Sequence, residues 1–282
     1  GIEVIFGQKA ENIEGADLIV YTAAIMADNP ELIAAKASGV PCLERSEMLG
    51  VLSRRYSKAL CVAGTHGKTT TSGMIAQVLL EGGFDPSAFI GGKVKALGGS
   101  GRAGKSDIFV VEACEFVDTF LQLSPDVSVL LNIDNDHLDY FKTMENMVAS
   151  FRKFIGMGKL CYVNGDDELA LSATKGLDIK TVTFGFDSKN DYYAVNEVAG
   201  KFGFSFDVMK GNEKLIRLDL RIPGHHNILN ALSAFAVAYD MGVSADGIKS
   251  ALEQFTGAGR RFEFLGEFNG FVLADDYAHH PT

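Results

Sequence analysis

Gly64-Thr65-His66-Gly67-Lys68-Thr69-Thr70-Thr71 lies between an apolar run, Ala59-Leu60-Cys61-Val62-Ala63, and a segment of helical spacing from Thr69 to about Glu81. So short an apolar run reads as a buried strand rather than a helix. Strand, glycine turn and helix in succession are the setting that a phosphate-binding loop requires. Glycines let backbone N–H groups turn inward toward an anion, and the helix N-terminus adds partial positive charge. Lys68 can then reach the β- and γ-phosphates of a nucleotide, and the Thr69 hydroxyl can bind Mg²⁺. Gly64, Thr65, His66, Gly67, Lys68, Thr69 and Thr70 are the candidate nucleotide-binding residues. Val62 stands where the longer G-x-x-x-x-G-K-[ST] form has its first glycine, so the loop is of the shorter GxxGKT type. A chance glycine turn is the alternative, and it leaves the flanking elements and the run of threonines unexplained.

Outward from this loop the chain alternates strands and helices. Upstream, Asp17 to Tyr21 reads as a strand and Asn29-Pro30-Glu31 as a helix start running to Gly39. Val40 to Leu43 is a strand, Ser46 to Tyr56 a helix, and Ile2 to Phe6 is strand-like. Downstream, Asp107 to Glu112 and Val127 to Leu131 read as central parallel strands, Thr143 to Ile155 as a helix and Leu160 to Val163 as a strand. The pattern changes after Asp187. Tyr192 to Val198, Phe202 to Met209 and Leu215 to Leu220, joined by short turns, suggest an antiparallel meander added to a parallel core. Helices return at Asn227 to Met241 and Ser244 to Phe255. Such βα alternation predicts an α/β fold with a parallel sheet covered by helices.

The chain has 282 residues, enough for about two domains. Hydrophobic residues at 47% and charged residues at 22% suit a globular protein with a full core. A net charge of −10 argues against nucleic acid as a partner, since phosphate backbones need a basic footprint. Cys42, Cys61, Cys114 and Cys161 are scattered, which fits thiols in a reducing cytoplasm better than a metal site or disulfide framework. No apolar run is long enough for a membrane span, and the first residues lack a signal-peptide layout.

Two strand ends carry polar groups beside the loop. Ligands of open α/β sheets bind outside the carboxyl ends of the strands. Glu112, followed by Ala113-Cys114-Glu115, is placed there for Mg²⁺, a hard cation that takes oxygen ligands. A solvated carboxylate is the alternative, and position alone does not choose. The next strand ends in Asn132-Ile133-Asp134-Asn135-Asp136-His137-Leu138-Asp139, where His137 among carboxylates is a candidate metal or catalytic residue. Cys114 has acidic neighbours that disfavour a thiolate, so it reads as inert. Asn227 and Asn230 in Gly224-His225-His226-Asn227-Ile228-Leu229-Asn230-Ala231 share a helix face and could read the edge of a base. Helix capping by Asn227 is the alternative.

GTHGKTTT, VVEACE, NIDNDHLDYF, GHHNILNA, GAGRRFE and DDYAHHPT occur in this order, and together they resemble the Mur ligase family from Gly1 to Thr282. The DHLDYF and DDYAHHPT strings favour its members that join L-alanine to UDP-N-acetylmuramate. The murein-tripeptide recycling ligases are the nearest competitor and folylpolyglutamate synthase is more distant. The resemblance implies a phosphate-loop ATPase domain with an added antiparallel sheet at 57–268, preceded by part of a Rossmann-like UDP-binding domain at 1–56. It implies a linker into a third domain at 269–282.

It further implies ATP and Mg²⁺ as cofactors, UDP-N-acetylmuramate and L-alanine as substrates, a cytoplasmic location and a role in peptidoglycan synthesis. Carried over by position, Lys68 would hold the γ-phosphate, Thr69 and Glu112 one Mg²⁺, and His137 a second. His226, Asn227 and Asn230 would hold adenine, Arg261 the phosphates and Asp276 the ribose side. Adjacent Arg260 leaves the arginine assignment open between the two. The family's first glycine-rich loop and third domain are not in this sequence, so the expectation is a chain cut at both ends with little or no ligase activity alone. A nucleotide-binding module and a small-molecule kinase are the readings from other classes. The kinase leaves GHHNILNA and DDYAHHPT without a role.

Overall fold

The structure, a computed structural model, describes residues 2–277. Gly1 and 278–282 lie outside it, so only Asp275 to Tyr277 of the DDYAHHPT string are described. The N-terminal part holds two short parallel strands, β1 (Ile19–Tyr21) and β2 (Cys42–Glu44), with helices α1 (Pro30–Ala37) and α2 (Arg45–Ser53). Pro30 opens α1 behind Asn29, whose side chain accepts from the N–H groups of Glu31 and Leu32. Glu44 and Glu47 cap α2 reciprocally. Ile2 to Phe6, expected to be strand-like, forms no strand, because β1 and β2 pair only with each other.

The central part follows as β3 (Lys58–Ala63), α3 (Lys68–Glu81), β4 (Ser87–Val94), β5 (Gly99–Arg102), β6 (Ile108–Glu112), β7 (Val127–Leu130), α4 (Leu138–Phe141), α5 (Met144–Ile155), β8 (Leu160–Asn164), α6 (Glu168–Thr174) and β9 (Lys180–Gly185). After these come β10 (Tyr192–Ala199), β11 (Phe204–Lys210), β12 (Glu213–Asp219), α7 (His226–Asp240) and α8 (Ala245–Gln254). The hairpin β13 (Glu263–Phe268) and β14 (Phe271–Asp275) pairs across the boundary expected at 268/269. Ten strands form one sheet in the order β12-β11-β10-β9-β8-β7-β3-β6-β4-β5. From β10 through β4 all neighbours are parallel, while β11, β12 and β5 add antiparallel edges. The meander is thus a continuation of the parallel sheet. It joins through β10, which runs parallel to β9 and antiparallel to β11.

Alternation along β3 divides the core. Leu60 and Val62 face the layer that contains Met74, Ile75, Leu232 and Phe235 of α3 and α7. Ala59, Cys61 and Ala63 face the layer that contains Phe151 and Phe154 of α5. A strand buried on both faces has to read as a continuous apolar run, and this one does. The N-terminal part is docked at Gly50 of α2, where a Cβ would come within 2.2 Å of the Gln122 carbonyl oxygen. Because β7 lies across β3 from β6, the order in which strands are added to the sheet reverses at β3, and the carboxyl ends of these three parallel strands lie side by side. This is where open α/β sheets place their ligands.

One buried charge stabilises the meander. Asp207 of β11 is hydrogen-bonded by Asn196 and Arg217 at 2.9 Å each and paired with Lys214 at 2.9 Å. Burial pushes its carboxyl up, but these three partners outweigh it and hold the pKa at about 2. A depressed carboxylate contributes stability above its unfolded pKa and loses it as pH falls through the folded one. We therefore expect this contribution to be complete above about pH 4 and to vanish toward pH 2. Asp207→Asn should cost roughly 1–2 kcal/mol at neutral pH, since Lys214 and Arg217 keep access to water. Urea titrations of both proteins at pH 7 and pH 3 test this, and a gap that does not narrow in acid would refute it.

Candidate active site

The phosphate loop caps α3 with Gly67 at φ 85°, a left-handed conformation that glycine adopts without strain. Gly64, at φ 138°, is pressed against Leu131 and the Asn132 backbone, where a Cβ would lie 3.0 Å from Leu131 Cβ. The strand end after β7 braces the loop. Asn132 Oδ1 accepts from the His66 N–H at 2.8 Å, and Asn132 Nδ2 donates to the His66 carbonyl at 3.1 Å. The Thr65 hydroxyl accepts from the Asp134 N–H at 2.9 Å, and the rings and carboxylate of His66 and Asp134 meet at 3.1 Å. Part of the polar cluster NIDND therefore supports the loop itself. This support was not anticipated from sequence, because it depends on β3 and β7 being neighbours.

Lys68 is held on three sides. Its ammonium donates to the carbonyls of Gly64 at 2.6 Å and Thr65 at 3.1 Å, and to Glu115 Oε1 at 3.1 Å. Glu115 Oε2 lies 2.8 Å from the same nitrogen as an ion contact, off the hydrogen-bond direction, so it keeps accepting capacity. Glu115 is 0% exposed. Its partnership with Lys68 is not visible in the VVEACE string, because the two residues are 47 positions apart.

Thr69 donates its hydroxyl to Glu112 Oε1 at 3.1 Å, and Glu112 Oε2 accepts from the Gly91 N–H at 2.8 Å. A hydroxyl and a carboxylate side by side at a phosphate loop are hard oxygen donors of the kind that Mg²⁺ takes together with phosphate oxygens and water. Among the described residues no three His, Cys, Asp or Glu side chains converge to hold a metal unaided. The Thr69 hydroxyl and the Glu112 carboxylate supply two such oxygens. Gly91 and Gly92 of β4 leave room here, since Cβ atoms would come within 2.8 Å of Glu112 and 2.9 Å of Thr69.

His137 sits in a left-handed conformation at φ 55° before α4. Its Nδ1 is 3.5 Å from Asp136, and its ring meets Phe116 at 4.8 Å between centroids. Thr70 lies half-buried in the first turn of α3.

Asn227 and Asn230 share one face of α7, and Asn230 Nδ2 donates to Asn227 Oδ1 at 2.9 Å. The helix begins at His226 with His225 as N-cap, so Asn227 is inside the helix rather than its cap. Both amides are buried, and Asn227 Nδ2 donates to the Pro223 carbonyl at 2.6 Å. Asn230 also packs under the loop, where a Cβ on Gly67 would come within 2.5 Å of its Oδ1. His226 lies close enough to His66 and Asp276 to feel both charges. Desolvation of its ring, then His225 and His66, lower its pKa against the opposing pull of Asp276, although the residue as a whole is exposed. Its ring is accordingly neutral at pH 7.

Asp276 Oδ2 accepts from the Phe262 N–H at 2.7 Å, which ties it to the loop carrying both arginines. Arg260 lies over the Tyr277 ring at 4.6 Å, while Arg261 lines an open groove of about 1730 Å³ that Thr69 also lines. Lys93, Lys95, Lys201, Arg221, Arg260 and Arg261 border this groove, with Glu263 as its acid. A basic groove in a chain of net charge −10 marks a place for an anionic ligand. Its cations come from distant segments, and sequence reasoning singled out only the two arginines. Cys114 stands beside the site. Desolvation around its sulfur, with the Glu115 charge adding, raises its pKa despite Lys68, so the thiol stays protonated.

Residues 62–238 match the family profile for the Mur ligase middle domain, and residues 1–57 that for the Mur ligase family, catalytic domain. The chain belongs to the Mur ligase family. It is 44% identical over 290 residues to a UDP-N-acetylmuramate–L-alanine ligase of Acetivibrio thermocellus, covering all of this chain and 61% of that protein. It is 45% identical over 286 residues to the protein of the same name from Caldicellulosiruptor saccharolyticus, covering all of this chain and 63% of that one. The chain thus spans 61–63% of the length of these curated relatives.

Among solved structures, the UDP-N-acetylmuramate-alanine ligase of Thermotoga maritima superposes with a TM-score of 0.86 at 31% identity, over 98% of this chain and 64% of that one. A UDP-N-acetylmuramate:L-alanyl-γ-D-glutamyl-meso-diaminopimelate ligase from Neisseria meningitides gives 0.79 at 28% identity, over 90% of this chain and 84% of that one.

Proposed function

We propose that this chain is the nucleotide-binding core, with part of the sugar-nucleotide domain, of an ATP-dependent ligase that joins L-alanine to UDP-N-acetylmuramate. The observation that carries the proposal is the Lys68 loop beside the Thr69–Glu112 pair, with Thr69 also lining a basic groove. The relatives' names supply the two substrates. In such a reaction a carboxylate oxygen of the sugar substrate attacks the γ-phosphorus of ATP, and ADP leaves. The amine of L-alanine then attacks the carbonyl carbon of the acyl phosphate, inorganic phosphate leaves with the C–O bond electrons, and the amine gives up its proton. Little covalent chemistry falls to the protein, which acts by positioning and charge neutralisation.

Lys68 would neutralise the γ-phosphate, and Gly64 to Thr70 would cradle the phosphates with backbone N–H groups. Thr69 and Glu112 would hold Mg²⁺, which supplies charge stabilisation on the transferring group, and His137 would hold a second ion near the sugar carboxylate. His226, Asn227 and Asn230 would bound the adenine, and Arg261 and Asp276 would lie along the phosphates and ribose. The groove cations would draw in the diphosphate sugar.

Peptidoglycan synthesis in the cytoplasm follows from the proposed substrates. Among the described residues no helix is long and apolar enough to cross a membrane. The test is phosphate release by the protein carrying the full span of its relatives, given ATP, UDP-N-acetylmuramate and either L-alanine or the L-alanyl-γ-D-glutamyl-meso-diaminopimelate tripeptide. Release that requires L-alanine is expected. Release with the tripeptide alone would assign the recycling reaction, and release without any acceptor would refute the ligase.

A further inference from the structure

The four residues Glu115-Phe116-Val117-Asp118 reach three separate parts of the site. Glu115 holds the Lys68 ammonium with both carboxylate oxygens from full burial. The Phe116 ring lies against that of His137. Asp118 accepts from the Tyr140 hydroxyl at 2.8 Å, three residues beyond His137, and from the hydroxyl of Ser150 on α5. To make these turns the backbone passes through two consecutive left-handed residues, Val117 at φ 53°, ψ 32° and Asp118 at φ 57°, ψ 22°. Such a conformation is rare for any residue with a side chain and a true outlier for a β-branched one. It persists only where the surroundings over-determine it. Here they do so with hydrogen bonds from the Asp118 N–H to the Glu115 carbonyl at 3.0 Å and the Phe120 N–H to the Cys114 carbonyl at 2.9 Å, and with Phe120 stacked on Phe154.

We infer that Glu115–Asp118 is a strained clasp that sets Lys68 and the His137 loop relative to one another, with Glu115 as the positioning residue for Lys68. The inference rests on the proposal that Lys68 binds the γ-phosphate. An ammonium with a flexible four-carbon stem is poorly located by itself. Two loop carbonyls and a buried carboxylate locate it before any nucleotide arrives, so the γ-phosphate meets a preplaced charge. The same peptide then places the His137 ring from the far side.

The experiment is calorimetric binding of ATP, ADP and AMP in Mg²⁺ to the chain itself, with thermal melting alongside, for the parent, Glu115→Gln and Val117→Gly. Glu115→Gln should weaken ATP about tenfold while ADP and AMP change much less, because the loss falls on a charge-assisted contact to the γ-phosphate. Val117→Gly should melt no lower than the parent, since glycine relieves the left-handed strain, yet bind ATP several-fold more weakly. A segment with a merely structural role would not weaken ATP binding in a variant that melts no lower than the parent. Unchanged or tighter ATP binding in Glu115→Gln would overturn the clasp, leaving Glu115 as a counter-charge only. If that variant does not fold, equal ATP affinity of Val117→Gly and parent overturns it instead. A parent chain that binds no ATP would overturn the nucleotide proposal, and the clasp with it.

Discussion

Replacing Lys68 by alanine is expected to destabilise the fold as well as remove ATP binding. A phosphate-loop lysine that faces solvent can be removed with little structural cost. This one is 13% exposed and lies 2.8 Å from a carboxylate that is wholly buried. Removing one partner of a buried ion pair leaves the other charge uncompensated, which costs about 3–5 kcal/mol. For a domain of this size that lowers the melting temperature by roughly 10 °C. ATP affinity should fall by roughly 100-fold or more, and AMP affinity far less, because the lost contact is a charge-assisted one to the terminal phosphates. The two effects separate in the double variant Lys68→Met with Glu115→Gln. With both charges gone, stability should return to within about 1–2 kcal/mol of the parent while ATP binding stays lost. Chemical denaturation and calorimetry on the parent, Lys68→Met, Glu115→Gln and the double variant complete the cycle. A single Lys68→Ala variant as stable as the parent would show that water or another cation reaches Glu115, and would break the argument.

The second large effect is expected at Gly67. An alanine there meets two independent obstacles. The backbone is left-handed at φ 85°, which costs an alanine roughly 1–2 kcal/mol. Its Cβ would also fall 2.5 Å from Asn230 Oδ1 and 3.2 Å from Leu131 Cδ1. Asn230 cannot retreat cheaply, because it is buried on α7 and bonded to Asn227, itself bonded to the Pro223 carbonyl. The loop would have to move instead, and it carries Lys68 and the backbone N–H groups proposed to cradle the phosphates. Losing one or two of the hydrogen bonds to a charged phosphate, at about 1.5–3 kcal/mol each, weakens binding on the order of 100-fold. Gly67→Ala should therefore bind ATP about as poorly as Lys68→Ala while keeping its ion pair and most of its stability. Melting curves and calorimetric ATP binding of Gly67→Ala beside the parent and Lys68→Ala measure this. If Gly67→Ala binds like the parent, the loop is not packed on α7 as described.

Much of the site's chemistry was legible in the residues themselves. GTHGKTTT announces a phosphate loop because its turn, its cation and its helix start are neighbours in the chain. The apolar runs at β3, β6 and β7 announce central parallel strands because burial on both faces leaves no alternation. Elements with weaker local patterns were missed. β4 contains Gly91-Gly92, β5 is Gly-Ser-Gly-Arg, and β9, Lys180–Gly185, mixes lysine and threonine with its valine and phenylalanine. Ile2 to Phe6 shows the converse, a strand-like run that finds no strand to pair with.

What sequence alone determined is therefore local: the glycine loop between strand and helix, the main βα alternation and the added meander, with a list of groups proposed to hold a nucleotide. Tertiary structure decided which of those groups meet. It chose Glu115, 47 residues from Lys68, as that lysine's counter-charge, while Glu112 turned to Thr69. It set Asn230 beneath Gly67, braced His66 with Asn132 and Asp134, and gathered six cations from separate segments into one groove. The physical reason is that a turn or helix start is specified by residues a few positions apart. A contact across strand ends is specified by sheet order and register, to which the whole core contributes.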